Sequence, residues 1–242
     1  MNIERLDKTD SGENELPKLN NPYCHCTWAG SYSKILLFLS VALSKSSILV
    51  IKITMGGRSM KGIVFIEFKQ MVDAVYGEAM MDYLIEAVNP ASGGSYTSVG
   101  TYHHTELTMM IAKLSERTQK PTAELTRAFG HYLARTFVVK FPDFFKQARN
   151  TLEFLKRIDN HIHVEVAKLY PDAELPEFSF DDTDPDVFIL NYASTRNLAD
   201  LAHGLINETI LYYGESYQVE RENLTEDNTM QRTRFKLVQR KP

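Results

Sequence analysis

The stretch Ile158-Asp159-Asn160-His161-Ile162-His163-Val164-Glu165-Val166 decides how the rest of the chain is read. It lies in a segment from Thr151 to Tyr170 whose apolar residues Leu155, Ile158, Ile162, Val166 and Leu169 recur at helical spacing, and Pro171 stops it. A His-X-His pair invites a metal ion. On one helix, however, positions two apart point about 200° from each other, so the two histidines cannot serve one site. His163 sits on the flank of the apolar stripe near Tyr170, whereas His161 falls on the far side, toward water. Periodicity alone reads His163 first as a core histidine bonded to a carbonyl. The ligand reading needs support from elsewhere in the chain.

Working downstream, Asp186–Ala193 (DVFILNYA) reads as a strand and runs into Tyr192-Ala193-Ser194-Thr195-Arg196. In an extended segment residues i, i+2 and i+4 share a face, so Tyr192, Ser194 and Arg196 would present two hydroxyls and a guanidinium to one side. A pair of carboxylates needs that set: a bidentate cation with neutral donors beside it. Taken alone, a Y-x-S-x-R spacing reads as a strand end with a surface arginine. Taken with an upstream imidazole and a helical half rich in Phe and Leu, it makes a site for a porphyrin with two propionates, and neutral imidazole is the standard haem ligand.

The remaining elements sort into two textures. Gly62–Tyr76 carries Val64, Phe65, Phe68, Met71, Val72 and Val75 at helical spacing, and Tyr83–Val88 is a second apolar stretch. Asn89–Gly100, with Pro90, Gly93 and Gly94, is a loop. Thr105 can cap a helix through Leu107, Met110, Ile111 and Leu114. Pro121 suits the first turn of another, through Leu125, Phe129, Leu133 and Phe137. After Pro176 come the strand, a helix over Leu198–Tyr213, and strands at Tyr217–Glu222 and Arg232–Gln239. The fold class is α+β: a helical N-terminal subdomain (about 60–125) packed on a C-terminal subdomain (about 126–242) with a small antiparallel sheet and helices.

Residues 1–59 read differently. Ile35–Leu49 is apolar but broken by Ser44, Lys45, Ser46 and Ser47, too short and interrupted for a spanning helix, and it is wrongly placed for a secretory signal. The change of texture at Met60 suggests that the leader is unstructured or an upstream mis-start; the intact mass of the protein from its native gene tests this. The net charge of −4 gives no electrostatic reason to expect nucleic acid or an anionic membrane as partner. The two cysteines, Cys24 and Cys26, make no disulfide framework and favour a reducing, cytoplasmic setting. No cysteine follows Met60, which excludes thiolate haem ligation, cysteine nucleophiles and iron–sulfur clusters in that stretch.

From Met60 to the end the chain resembles the H-NOX (haem nitric oxide/oxygen binding) family, the sensor fold also found in soluble guanylate cyclase. The resemblance is carried by Met60-Lys61-Gly62, Arg127-Ala128-Phe129-Gly130, His163 with Leu169-Tyr170-Pro171, Pro176, the Tyr192/Ser194/Arg196 set, and Gly204-Leu205-Ile206. It implies haem b held between the two subdomains, with His163 as the proximal iron ligand. It further implies that Tyr192, Ser194 and Arg196 bind the propionates and that Pro176 presses on the haem and distorts it. Oxygen-holding members of the family place a tyrosine where this chain has Leu201. The supporting distal positions match Phe68 and Leu133, with Val64 and Leu205 completing the wall. None of these offers a hydrogen bond, so the resemblance implies a ferrous haem that binds NO and CO and excludes O₂. NO would then break the iron–His163 bond and shift one half of the protein against the other. By family analogy the output passes to a separate histidine kinase or cyclic-di-GMP enzyme. Some relatives carry a cysteine-rich zinc site near the C-terminus; none is expected here. His103 and His104 are expected at the surface, and His131 outside the pocket. The rival readings are a peroxidase-like haem enzyme, which would need a distal acid–base group, and a haem-free interaction module.

Overall fold

The computed structural model describes residues 59–226 and 230–240. The leader, Ile35–Leu49 and the two cysteines lie outside them. The described elements run β1 (Ser59–Lys61), α1 (Gly62–Tyr76), α2 (Glu78–Val88), β2 (Thr101–His103), α3 (His104–Thr118), α4 (Thr122–Lys140), α5 (Pro142–Lys146), α6 (Thr151–Lys156), a π turn (Ile158–Ile162), α7 (His163–Leu169), β3 (Glu177–Asp184), β4 (Val187–Ser194), α8 (Ala199–Tyr212), β5 (Tyr217–Glu226) and β6 (Gln231–Gln239). The α+β class expected from the sequence is the one found.

The helical part forms because each helix has one apolar stripe and no other way to bury it. Phe65, Phe68, Met71 and Val72 of α1 pack with Met81 and Leu84 of α2, Leu107, Met110, Ile111 and Leu114 of α3, and Leu125, Phe129 and Leu133 of α4. Each such side chain, fully buried, contributes on the order of 1.5–3 kcal/mol of transfer free energy. Gly77 closes α1 at φ +86°, a conformation that L side chains rarely adopt, and its N–H donates to the Asp73 carbonyl at 3.0 Å. The 89–100 loop is fastened by the buried Glu106, which accepts from the Ser92 hydroxyl at 2.6 Å and the Tyr96 hydroxyl at 2.9 Å.

The sheet has strand order β3-β4-β6-β5, antiparallel throughout. Central β4 alternates strictly, burying Phe188, Leu190, Tyr192 and Ser194. Its buried face joins Phe235 and Leu237 of β6, Phe154 and Leu155 of α6, and Ala199, Ala202, Ile206 and Ile210 of α8 in a second apolar cluster. Two helices serve both clusters. Leu125, Phe129 and Leu133 of α4 lie in the first and Phe137 and Val138 pack on the second, while α8 gives Leu201 to the first and Ala202 and Ile206 to the second. Where α4 and α8 cross they touch backbone to backbone. A methyl group built on Gly130 would stand 2.3 Å from the Leu201 carbonyl oxygen, and one on Gly204 would stand 2.1 Å from that of Arg127.

Several expectations need correction. The segment 151–170 is not one helix: it is α6 and α7 joined by the π turn, in which the Ile162 N–H donates to the Arg157 carbonyl at 3.1 Å. Leu169, placed on the apolar stripe, is 70% exposed, because α7 ends there and its neighbours are gone. Thr105 is inside α3; the cap is His103, whose ring nitrogen accepts from the Thr105 N–H. His104 is buried, not at the surface. Pro121 stands one residue before α4. The acidic strand β3 escaped the sequence reading altogether, since its run of Asp and Thr lacks the apolar alternation that marks β4.

Candidate functional site

His163 is the first residue of α7, immediately after the π turn. Its Nδ1 lies 2.8 Å from Oδ1 of Asp159, one turn earlier. A carboxylate can only accept, so Nδ1 carries the proton and donates, and Nε2 is left with its lone pair. The ring is mostly buried, and burial holds its pKa below the ordinary imidazole value; Asp159 opposes that shift and the charge of Arg196 adds to it. His161 turns elsewhere, as the helix geometry requires. It does not simply face water: Nε2 lies 3.0 Å from Oε1 of Gln147, and the ring meets Phe144 edge-on.

Strand alternation places Tyr192 and Ser194 on the buried face of β4, as expected from an extended segment. Arg196 gets there differently, since the strand ends at Ser194 and Arg196 lies in the following turn. That turn is held by the Arg196 N–H donating to the Ser194 hydroxyl at 3.2 Å and is followed by Asn197 at φ +53°. Three residues therefore converge, two by strand and one by turn. The Tyr192 hydroxyl bonds with Ser194, burial raises its pKa, and the Arg196 charge opposes the rise. Phe178 of β3 stands between the two halves of the site, its ring 5.7 Å from that of His163 and 5.5 Å from that of Tyr192. Pro176 directly precedes β3.

The Arg196 guanidinium tests whether this set suits an anionic cofactor. It is only 8% exposed, and burial lowers its pKa while Tyr192 and Glu174 oppose that shift. Its Nη1 donates to the Ser59 carbonyl at 3.1 Å, and the Glu174 carboxylate, which accepts the Ser59 N–H, also acts on its charge. A cation taken so far out of water is expensive unless an anion joins it. A phenol, a hydroxyl and such a guanidinium, close to an imidazole with a free Nε2, fit a haem with its propionates. Tyr192, Ser194 and Arg196 would hold the carboxylates and His163 the iron.

The other five candidates come together in the first apolar cluster. Phe68, Leu133 and Leu201 are buried in it, and Val64 and Leu205 pack against it half-buried. Phe68 meets Phe129 edge-on at 5.3 Å. The charged neighbour on α1, Glu67, is fully buried and paired with Lys140 at the end of α4. His131 is tied to Glu208, its Nδ1 2.9 Å from Oε2. Asp159 and Phe178 are the residues that sequence reasoning missed. An acid four residues before the histidine was a usable signal for the first; nothing local announced the second.

A family model described as Haem-NO-binding matches residues 61–221. Among solved structures, the Fe(II) unliganded H-NOX protein from K. algicida is 32% identical at TM-score 0.70, over 76% of this chain and 98% of that one. A mutant of that protein, also Fe(II) unliganded, gives 32% and 0.70, over 75% and 97%. An H-NOX protein from S. oneidensis in the Fe(II)NO ligation state shares the fold at TM-score 0.69 and 24% identity, over 75% of this chain and 100% of that one. No curated protein matches the chain.

Proposed function

The chain belongs to the haem-NO-binding (H-NOX) family of haem-binding gas-sensor domains, and on that premise we propose that it is a nitric oxide sensor. The observation that carries the reading is the placement of His163, buried beside Arg196 with Nδ1 committed to Asp159 and Nε2 left to ligate. When bound, haem b would supply a ferrous iron that a histidine holds and that takes up a diatomic gas. His163 would hold the iron, Tyr192, Ser194 and Arg196 would bind the propionates, and Pro176, directly before β3, would press on the macrocycle.

Val64, Phe68, Leu133, Leu201 and Leu205 form the distal wall. None of these side chains can donate a hydrogen bond; Glu67, next to Phe68, pairs through Oε1 with Lys140 and keeps a buried, unpartnered Oε2, which as a carboxylate oxygen can only accept. Bound dioxygen carries partial negative charge and depends on a donor, whereas NO and CO depend on one far less. A missing donor forfeits roughly 1–3 kcal/mol. The pocket therefore takes NO and CO and rejects O₂. The match to a Haem-NO-binding family model over most of the described residues supports NO as the ligand sensed.

Loss of the iron from His163 would leave α7, which begins at that residue, free to move with the ring. The gas thus biases an element with two positions, which is what a sensor requires. The output passes to a separate partner protein, a histidine kinase or a cyclic-di-GMP enzyme, in the cytoplasm; the chemistry is sensing and not catalysis. No described helix is long and apolar enough to cross a membrane.

The test is an absorption spectrum of the purified, reduced protein. A Soret band that shifts with NO and CO and stays put in air is expected. A colourless protein, or one whose reduced band shifts reversibly in air, overturns the reading, and steady peroxide turnover would replace it with an enzyme.

A further inference from the structure

Asp159 does two things at once. Its Oδ1 lies 2.8 Å from Nδ1 of His163, and its Oδ2 accepts the Phe178 N–H of β3, also at 2.8 Å. That N–H is turned away from β4, because β3 is the edge of the sheet and Phe178 gives its outward-facing donor to Asp159. The carboxylate stands on the π turn, a widened turn that places it between the histidine and the strand. Beside it lies a cleft of about 280 Å³ lined by Asp159, Asn160, Phe178 and Ser179 among others, so the carboxylate is not packed in on every side.

We propose that Asp159 is the positioning residue of the iron ligand, and that its shared carboxylate transmits the loss of iron ligation from His163 to the edge strand β3. The inference rests on His163 being that ligand. By accepting the Nδ1 proton, Asp159 fixes the tautomer, aims Nε2 and increases its basicity, which strengthens the bond to iron. The same carboxylate pins the first outward-facing amide of β3. Once His163 swings away with α7, one carboxylate cannot keep both partners at 2.8 Å. The Phe178 N–H is let go, and the strand that begins with Glu177 loosens at its start. Phe178 also touches the rings of His163 and Tyr192, so the same shift is felt at the propionate side.

The test uses the haem-loaded full chain with Asp159→Asn, which keeps a neutral acceptor, and Asp159→Ala, which removes it. The iron–histidine stretching frequency of the reduced protein, read by resonance Raman, should fall in the order Asp, Asn, Ala. Release of the histidine after mixing with NO should quicken by about 10-fold in the Asn variant and up to about 100-fold in the Ala variant. Exchange of the Phe178 amide should accelerate at least about 10-fold when NO is added to the wild type, and should already be fast in Asp159→Ala without NO. If Asp159→Ala does not fold, the Asn variant and the wild-type exchange carry the test. A stretching frequency indifferent to Asp159, or a Phe178 amide equally protected with and without NO, overturns the inference alone. A wild-type protein with no iron–histidine stretch overturns the proposed function and this inference with it.

Discussion

On α7, β4 and the turn after it, the side chains His163, Tyr192, Ser194 and Arg196 are all polar and mostly buried, and each has a hydrogen-bond partner fixed by the fold. On α1, α4 and α8 the five residues Val64, Phe68, Leu133, Leu201 and Leu205 carry no side-chain hydrogen-bonding group at all. The first region holds its geometry by direction, through bonds of defined length between groups that would be costly to leave unpaired. The second holds it by volume. The two therefore fail differently: the polar region to the loss of one partner, the apolar region to a change of size.

The largest expected effect lies on the apolar side. Phe68→Ala empties a fully buried site against Phe129 and should lower unfolding stability by about 3–5 kcal/mol, read from denaturant midpoints. A loss under about 1 kcal/mol would mean that volume does not govern this region. Next, Arg196→Ala should speed haem release by about 10- to 100-fold, in line with the roughly 1.5–3 kcal/mol of a charged hydrogen bond, measured by transfer to an apo-globin scavenger. Unchanged release would separate Arg196 from the propionates. Leu201→Tyr puts one donor into the apolar wall and should bring O₂ binding into a measurable range, a gain of roughly 1–3 kcal/mol seen in an oxygen titration. If the variant still ignores oxygen, the apolar wall is not what excludes it.

The smallest effect concerns pH and a histidine outside both regions. His203 has its pKa pushed down to about 4, chiefly by burial and then by the charges of Arg127 and Arg221. The unfolded chain, with an ordinary imidazole, takes up its proton first as pH falls. Stability is thus complete above about pH 6.5, drains as pH falls toward 4, and loses nothing further from this group below that. After allowance for the partial exposure of the ring, the loss is on the order of 1–2 kcal/mol. In thermal melts across this window wild type should lose stability relative to His203→Gln as the pH drops, and a constant difference between the two would contradict it.

The apolar region was legible in the sequence because its information is periodic: Val64, Phe68, Leu133, Leu201 and Leu205 announce themselves by helical spacing, and burial follows from the stripe. Tyr192 and Ser194 were legible by the same logic at period two. Arg196 reached the buried side by a turn that no periodicity describes. The break between α6 and α7 was hidden because Ile158 and Ile162 satisfy an α-helical stripe as well as they satisfy a π turn, and both remain packed on the second cluster. β3 was hidden because it is an edge strand whose Asp181, Asp182 and Asp184 face water, so only Phe178 and Phe180 mark it. What pattern could not reveal is what depends on one hydrogen bond between elements, of which Asp159 to Phe178 is the clearest instance.

The contact between Gly130 and Gly204 has a consequence for how the wall can diverge. Where two helices meet main chain against main chain, their separation is set by atoms that substitution does not alter. Leu133, about one turn from that contact, and Leu201, whose carbonyl is part of it, are hung from a frame of fixed gauge. Under the proposed function, new side chains there would change what a diatomic guest encounters and leave the clearance between the helices as it was. Substituting either wall residue while both glycines stay would then test gas preference on an unchanged scaffold.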